Sequence, residues 1–200
     1  MIQKNSLRTI SKLNYNMFDE LKTDCVVGID PGKQGGIAIY TKEDGMVRTI
    51  RMPEDTEELA EVLNYYTENY KPIAFLEKLN LHRSDTETPG KVFGIQKLLQ
   101  NYAQLRTVLE MCGIPFAMVH PLSWENKLGL RVRGLREEKT ERKRRYRDIA
   151  GKLYPGNKVT LWNADALLIM HFGRIQLAND INWVVANIPR KMHDSLFDAK

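Results

Sequence analysis

Cysteine is scarce in this 200-residue chain: there are two, Cys25 and Cys112, both in apolar segments. That excludes a disulfide framework and a cysteine-ligated zinc site, and it suits buried thiols in a reducing compartment. Long hydrophobic runs are also absent. None reaches the roughly 18 residues of a membrane-spanning helix, and the N-terminal stretch lacks the uninterrupted apolar core of a secretory signal. Acidic residues are missing before Asp19, while Lys4, Arg8 and Lys12 are present. Leu7, Ile10, Leu13, Met17 and Leu21 recur there at helical spacing. Residues 1–24 therefore read as an amphipathic helical extension, with a mitochondrial-type presequence as the alternative.

A hydrophobic share of 42% supports a folded core in one domain of this length and argues against disorder. The net charge of +5 is unevenly placed: residues 127–152 hold eleven Lys/Arg against four Asp/Glu. A concentrated basic segment on a nearly neutral body points to a polyanionic partner, with a solvated helix face as the plainer reading.

The segment Cys25-Val26-Val27-Gly28-Ile29-Asp30-Pro31-Gly32 carries the strongest local signal. Its apolar run predicts a strand buried on both faces, and Gly35–Tyr40 resumes as the second strand of a hairpin. Asp30 is the exception in that run. Either it opens the turn before Pro31, or it is a carboxylate held near the interior for a purpose. A third strand is expected near Val47–Met52, then a helix capped by Asp55 or Thr56 with Leu59, Val62, Leu63 and Tyr66 inward. Ile73-Ala74-Phe75-Leu76-Glu77 repeats the opening pattern, an apolar strand ending in a carboxylate. Residues 78–91 form a polar, turn-rich loop of the kind that carries function.

A long helix is expected over Val92–Cys112, stopped by Gly113, then a strand over Ile114–Val119 closed by His120-Pro121. A short helix over Ser123–Leu130, a basic helix over Glu137–Lys152 and an apolar helix capped by Asn163 follow. Asp165 falls in the first turn of that last helix, where the helix dipole alone would favour it. Trp183-Val184-Val185 reads as a short strand.

Asp30, Glu77 and Asp165 each end or open an apolar element, and alternating strands and helices place such termini along one sheet edge. Three clustered carboxylates attract a divalent cation, and all-oxygen ligands favour magnesium, with manganese as a substitute. Two such ions can activate water and stabilise the leaving oxygen of a phosphodiester. Beside a basic segment, that set suggests a metal-dependent nuclease.

The ordered set Gly28-Ile29-Asp30-Pro31-Gly32, Leu76-Glu77-Lys78, His120-Pro121-x-x-Trp124, the basic helix before Tyr154-Pro155, and Ala164-Asp165-Ala166-Leu167 resembles the RuvC-type Holliday-junction resolvases over about residues 24–173. The flavour is that of their bacteriophage branch. The resemblance implies an α/β, ribonuclease-H-like fold, a five-stranded mixed sheet flanked by helices. It implies a nuclease domain over 25–175, extended by 1–24 and 176–200. It further implies a homodimer that cuts four-way or other branched DNA with magnesium, in the cytoplasm (the host's, if phage-encoded). Asp30, Glu77 and Asp165 match three of the family's four catalytic, metal-binding residues. Lys139 and Lys143 lie nearest its DNA-contacting lysines, and Lys127, Arg144 and Arg147 complete the expected DNA-binding set.

Two positions depart from the family. Trp162 stands where relatives carry an acid or histidine, and Asn80 stands in place of an aromatic residue that touches the junction. Trp162 implies a raised metal requirement, eased by manganese, or else a ring packed against the sheet that shifts the helix start. Two other functions compete. A non-catalytic DNA-structure binder would keep the basic surface without cleavage. An actin- or sugar-kinase-like ATPase would use Gly28–Gly32 as a phosphate loop, but the chain is about half the expected length and lacks a second glycine-rich loop.

Overall fold

The computed structural model describes residues 21–32, 34–79, 89–131 and 137–193. The expected N-terminal helix, most of the 78–91 loop with Asn80, and the last seven residues lie outside the described residues.

Five strands form one sheet: β1 (Cys25–Asp30), β2 (Gly36–Thr41), β3 (Val47–Arg51), β4 (Pro72–Glu77) and β5 (Phe116–Val119). Their order is β3-β2-β1-β4-β5. The first three are antiparallel neighbours, while β4 and β5 run parallel to β1. This is the mixed five-stranded, helix-flanked α/β sheet of the ribonuclease-H-like fold. β1 is central because it can be: Cys25, Val26, Val27 and Ile29 are fully buried, and a strand covered on both faces needs such a run.

Six α-helices accompany the sheet among the described residues: α1 (Thr56–Asn69), α2 (Pro89–Met111), α3 (Pro121–Lys127), α4 (Lys139–Leu153), α5 (Ala164–Asn179) and α6 (Ile181–Asn187). Asp55 caps α1 by accepting the Glu58 amide at 2.8 Å, and Leu59, Leu63 and Tyr66 turn inward. α1 pairs with α2, whose Leu105, Val108 and Leu109 join the same core. Gly113 ends that region at φ +68°, a value glycine adopts freely.

α5 crosses β1, β2 and β4, with α4 packed against it. It is apolar all round, and Ala166 to Gly173 are buried without interruption, as a core helix requires. Two glycines let it lie this close. A Cβ on Gly28 of β1 would run into the Met170 amide and the Ala166 carbonyl, and one on Gly173 would strike the Phe75 ring of β4.

Three local expectations are corrected. Trp183-Val184-Val185 is helical, inside α6, because Asp180 caps it by accepting the Trp183 amide at 3.0 Å. That cap and the edge-on packing of Trp183 against Phe172 override the β-preference of two valines. The short helix begins at Pro121, not Ser123: His120 Nδ1 accepts the Leu122 amide, and proline suits the first helical position. Asn163 does stand at the start of α5, but its side chain makes no capping bond there. It accepts from Thr160 N at 2.7 Å and donates to Lys158 O and Thr49 Oγ1, tying the preceding turn to β3.

Candidate active site

Strand register brings the carboxylates together. Ile29 pairs with Leu76 in the parallel β1–β4 ladder, so Asp30 and Glu77 stand level on neighbouring strands, where side chains share a face. That face is the one under α5. Gly28, two residues before Asp30, meets α5 at Ala166 and Met170, so Asp30 points to the same side as the first turn that carries Asp165. Three chain segments that are remote in sequence thus meet at the C-terminal edge of the sheet, the usual place for a site in such folds.

Burial makes their charges costly. Asp30 is pushed up to about 6 by burial and then by Asp165, with Lys143 and the Gly32 amide opposing. Glu77 is pushed up to about 8 by burial and by Asp30, opposed by its bond to Trp124. Burial also raises Asp165, against the pull of Lys143, Arg142 and Lys139. Each carboxylate is therefore within electrostatic reach of another.

Each also has its own tether. The Gly32 amide donates weakly to Asp30 Oδ1 at 3.4 Å, Trp124 Nε1 donates to Glu77 Oε1 at 2.9 Å, and Lys143 Nζ lies 3.4 Å from Asp165 Oδ2. The remaining oxygen of Asp165, Oδ1, is buried with no hydrogen-bond partner. An orphaned carboxylate oxygen near two other half-buried carboxylates suits a hard cation. Among the described residues no three His, Cys, Asp or Glu side chains close around one point. Magnesium does not demand that, since it commonly takes one or two carboxylates and keeps several waters.

Of the expected basic residues, Lys139 and Lys143 lie on α4 where they act on Asp165. Arg144 and Lys127 are exposed, and Arg147 is turned to Asp148 at 2.7 Å. Trp162 packs against the sheet: its six-membered ring lies over Gly36, where a Cβ would be 2.8 Å away, and Arg51 sits 5.2 Å from the ring centre. Position 162 is therefore occupied by the β2–β3 surface, and the helix start that holds Asp165 is kept.

Two contributors were not legible as such. Trp124 belongs to a noted motif, yet its role appears only in the fold. Pro121 starts α3, so residue 124 falls one turn later; there the indole is buried, edge-on to Tyr146 and bonded to Glu77. Arg142 lies within electrostatic reach of Asp165; the charge run itself marked no single residue.

No family model matches this chain, and no curated protein does. Among solved structures it is similar to Thermus thermophilus RuvC in complex with a Holliday junction substrate, at 17% identity over 77% of this chain and 97% of that one, TM-score 0.44. It is also similar to T. thermophilus RuvC itself, at 15% identity over 77% and 98%, TM-score 0.43. A third likeness is to the yeast mitochondrial Holliday junction resolvase Ydc2, at 18% identity over 90% and 96%, TM-score 0.39. At these identities the likeness concerns the fold alone, and the strand order described above is what carries the fold assignment.

Proposed function

We propose that this protein is a metal-dependent endonuclease of branched DNA that resolves four-way junctions, with Asp30, Glu77 and Asp165 as its catalytic, metal-holding residues. The observation that carries the reading is the meeting of three half-buried, mutually repelling carboxylates at one sheet edge, one with an orphaned oxygen. Asp30 with Asp165, and Asp30 with Glu77, supply the oxygen pairs that would hold divalent ions. When bound, such ions supply an activated water and offset charge on the leaving oxygen. Trp124 keeps Glu77 oriented, and Lys143, half-exposed beside Asp165, would be available to a phosphate oxygen where a cation took its place at that carboxylate.

A homodimer fits the surface of α2. Its second half turns Leu105, Val108 and Leu109 into the core, while the first half presents Val92, Phe93 (70% exposed) and Leu99 to the outside, which a second copy would cover. Residues 25–175 are proposed as the nuclease domain, with 1–24 and 176–200 as extensions, the second of which completes α5 and adds α6 to the core.

The non-catalytic alternative is favoured by one contact, the Lys143–Asp165 pair, which neutralises a ligand in place of a metal. The deciding experiment is cleavage of a synthetic four-way junction beside forked and linear duplexes, with and without magnesium. Cleavage of the branched substrates alone, and only with metal, is expected. Binding without any cleavage in magnesium or manganese establishes the alternative.

Two further outcomes are expected. Junction affinity should fall on the order of a thousandfold between about 50 and 200 mM salt, as for a protein that makes several phosphate contacts. Changing Lys139, Lys143, Arg144 and Arg147 to Glu should weaken binding to all junction sequences alike, and a flat salt response would remove α4 from the interface.

A third outcome concerns pH. In metal-free protein Asp30 and Glu77 keep protons that the unfolded chain has already released, across the window from their ordinary values to about 6 and about 8. Native protein then binds more protons than unfolded, so stability falls as pH rises through that window and levels above it. Magnesium should raise the melting temperature more at about pH 8 than at about pH 5. An equal shift at both would mean the ion binds elsewhere.

A further inference from the structure

Beside the carboxylates lies an open groove of about 1050 Å³. One end is formed by Pro31, Gln34 and Gly35, from the turn that Asp30 begins, and by Lys143, which also touches Asp165. Arg51 and Trp162 line it too, with the guanidinium 5.2 Å from the centre of the ring. Along α2 it is lined by Lys97, Asn101 and Gln104. Two acids reach it as well, Glu54 and Asp55, but the Asp55 carboxylate is engaged in capping α1.

The groove's chemistry is mixed in a particular way. Lys97, Lys143 and Arg51 offer positive charge, Trp162 offers a half-exposed aromatic plane backed by Arg51, and three amide side chains offer both donors and acceptors. A phosphate alone leaves the indole unused, and an apolar ligand leaves the cations unused. A nucleotide uses all three. We propose that this groove receives one unstacked nucleotide of the cleaved strand, next to the scissile phosphate, with its base against the Arg51–Trp162 pair. The proposal rests on the nuclease reading above and adds a subsite to it. It also gives position 162 a role of its own: the indole that stands where the resembling family has a metal-site residue becomes a base platform.

The test is a binding cycle on the full chain, in the absence of divalent metal so that no cleavage occurs. Four-way junctions are prepared with a single abasic nucleotide, moved through the positions nearest the branch point. For the native protein one position should lose about tenfold in affinity, within the range that base–aromatic stacking contributes. In Trp162→Ala the same abasic site should cost nothing further, and Trp162→Phe should restore the penalty. If the alanine variant does not fold, Arg51→Ala, a change at an exposed side chain, carries the same cycle. An abasic penalty that is equal in native and variant proteins, or absent at every position, overturns the subsite.

The outcome is separable from that of the nuclease reading. Failure of the native protein to cleave branched DNA in metal defeats the enzyme while leaving the binding cycle readable. A native enzyme that cleaves normally but shows no coupling between Trp162 and the abasic site defeats the subsite alone.

Discussion

Asp30→Asn, Glu77→Gln and Asp165→Asn are each expected to abolish junction cleavage while leaving junction binding within a few-fold of native. Even a partner that merely supports a metal ligand contributes about 10- to 100-fold, so loss of a ligand should exceed that. Binding survives because phosphate contacts come from lysine and arginine, and the substituted residues make none of them. The variants carry a second signature. Asp30→Asn and Glu77→Gln each remove one of a set of half-buried, mutually repelling charges, so these metal-free proteins should melt no lower than native, and higher at about pH 8. Their stabilisation by magnesium should shrink. Cleavage at near the native rate by any one of them would strike that residue from the site.

The second large effect is expected from a residue that touches no substrate. At Gly28, even a methyl group meets backbone on α5, the Met170 amide and the Ala166 carbonyl, so no side-chain rotation can relieve the clash. Overpacking that rotamers can absorb costs about 1–3 kcal/mol, and Gly28→Val should exceed it. For a chain of this size that corresponds to a fall of roughly 10 °C in melting temperature. Cleavage should be lost well below the melting point too, because α5 carries Asp165 and must shift away from Asp30; about 1 Å of misplacement can cost on the order of a hundredfold. Gly151→Ala is the control, since a Cβ there meets nothing within 4 Å. In a helix interior that change should add about 0.5–1 kcal/mol of stability and leave cleavage alone. A Gly28→Val protein with native stability would refute the account of how α5 is seated.

These two expectations mark the division between sequence and structure. The strands ending in Asp30 and Glu77 were readable from their apolar runs, because a buried strand admits few polar residues and a lone carboxylate therefore stands out. The helices other than α6 were readable from periodicity and stop signals such as Gly113, and the basic segment from charge counting. Their ends were less so. His120 and Asp180 redirect local structure through single capping bonds, which compete with the β-preference of residues like Val184 and Val185.

The sequence by itself determined which residue types are present and which elements they end. It could not say that Asp30 and Glu77 stand level, since a one-residue slip in register would turn one of them to the other face. Nor could it show that Gly28 is glycine because α5 lies on it, that Trp124 bonds Glu77, or that Trp162 packs over Gly36 with Arg51 5.2 Å from its ring centre. Each of these is a contact between segments tens of residues apart. Local preference carries no information about such contacts, and only close packing of the folded chain decides them.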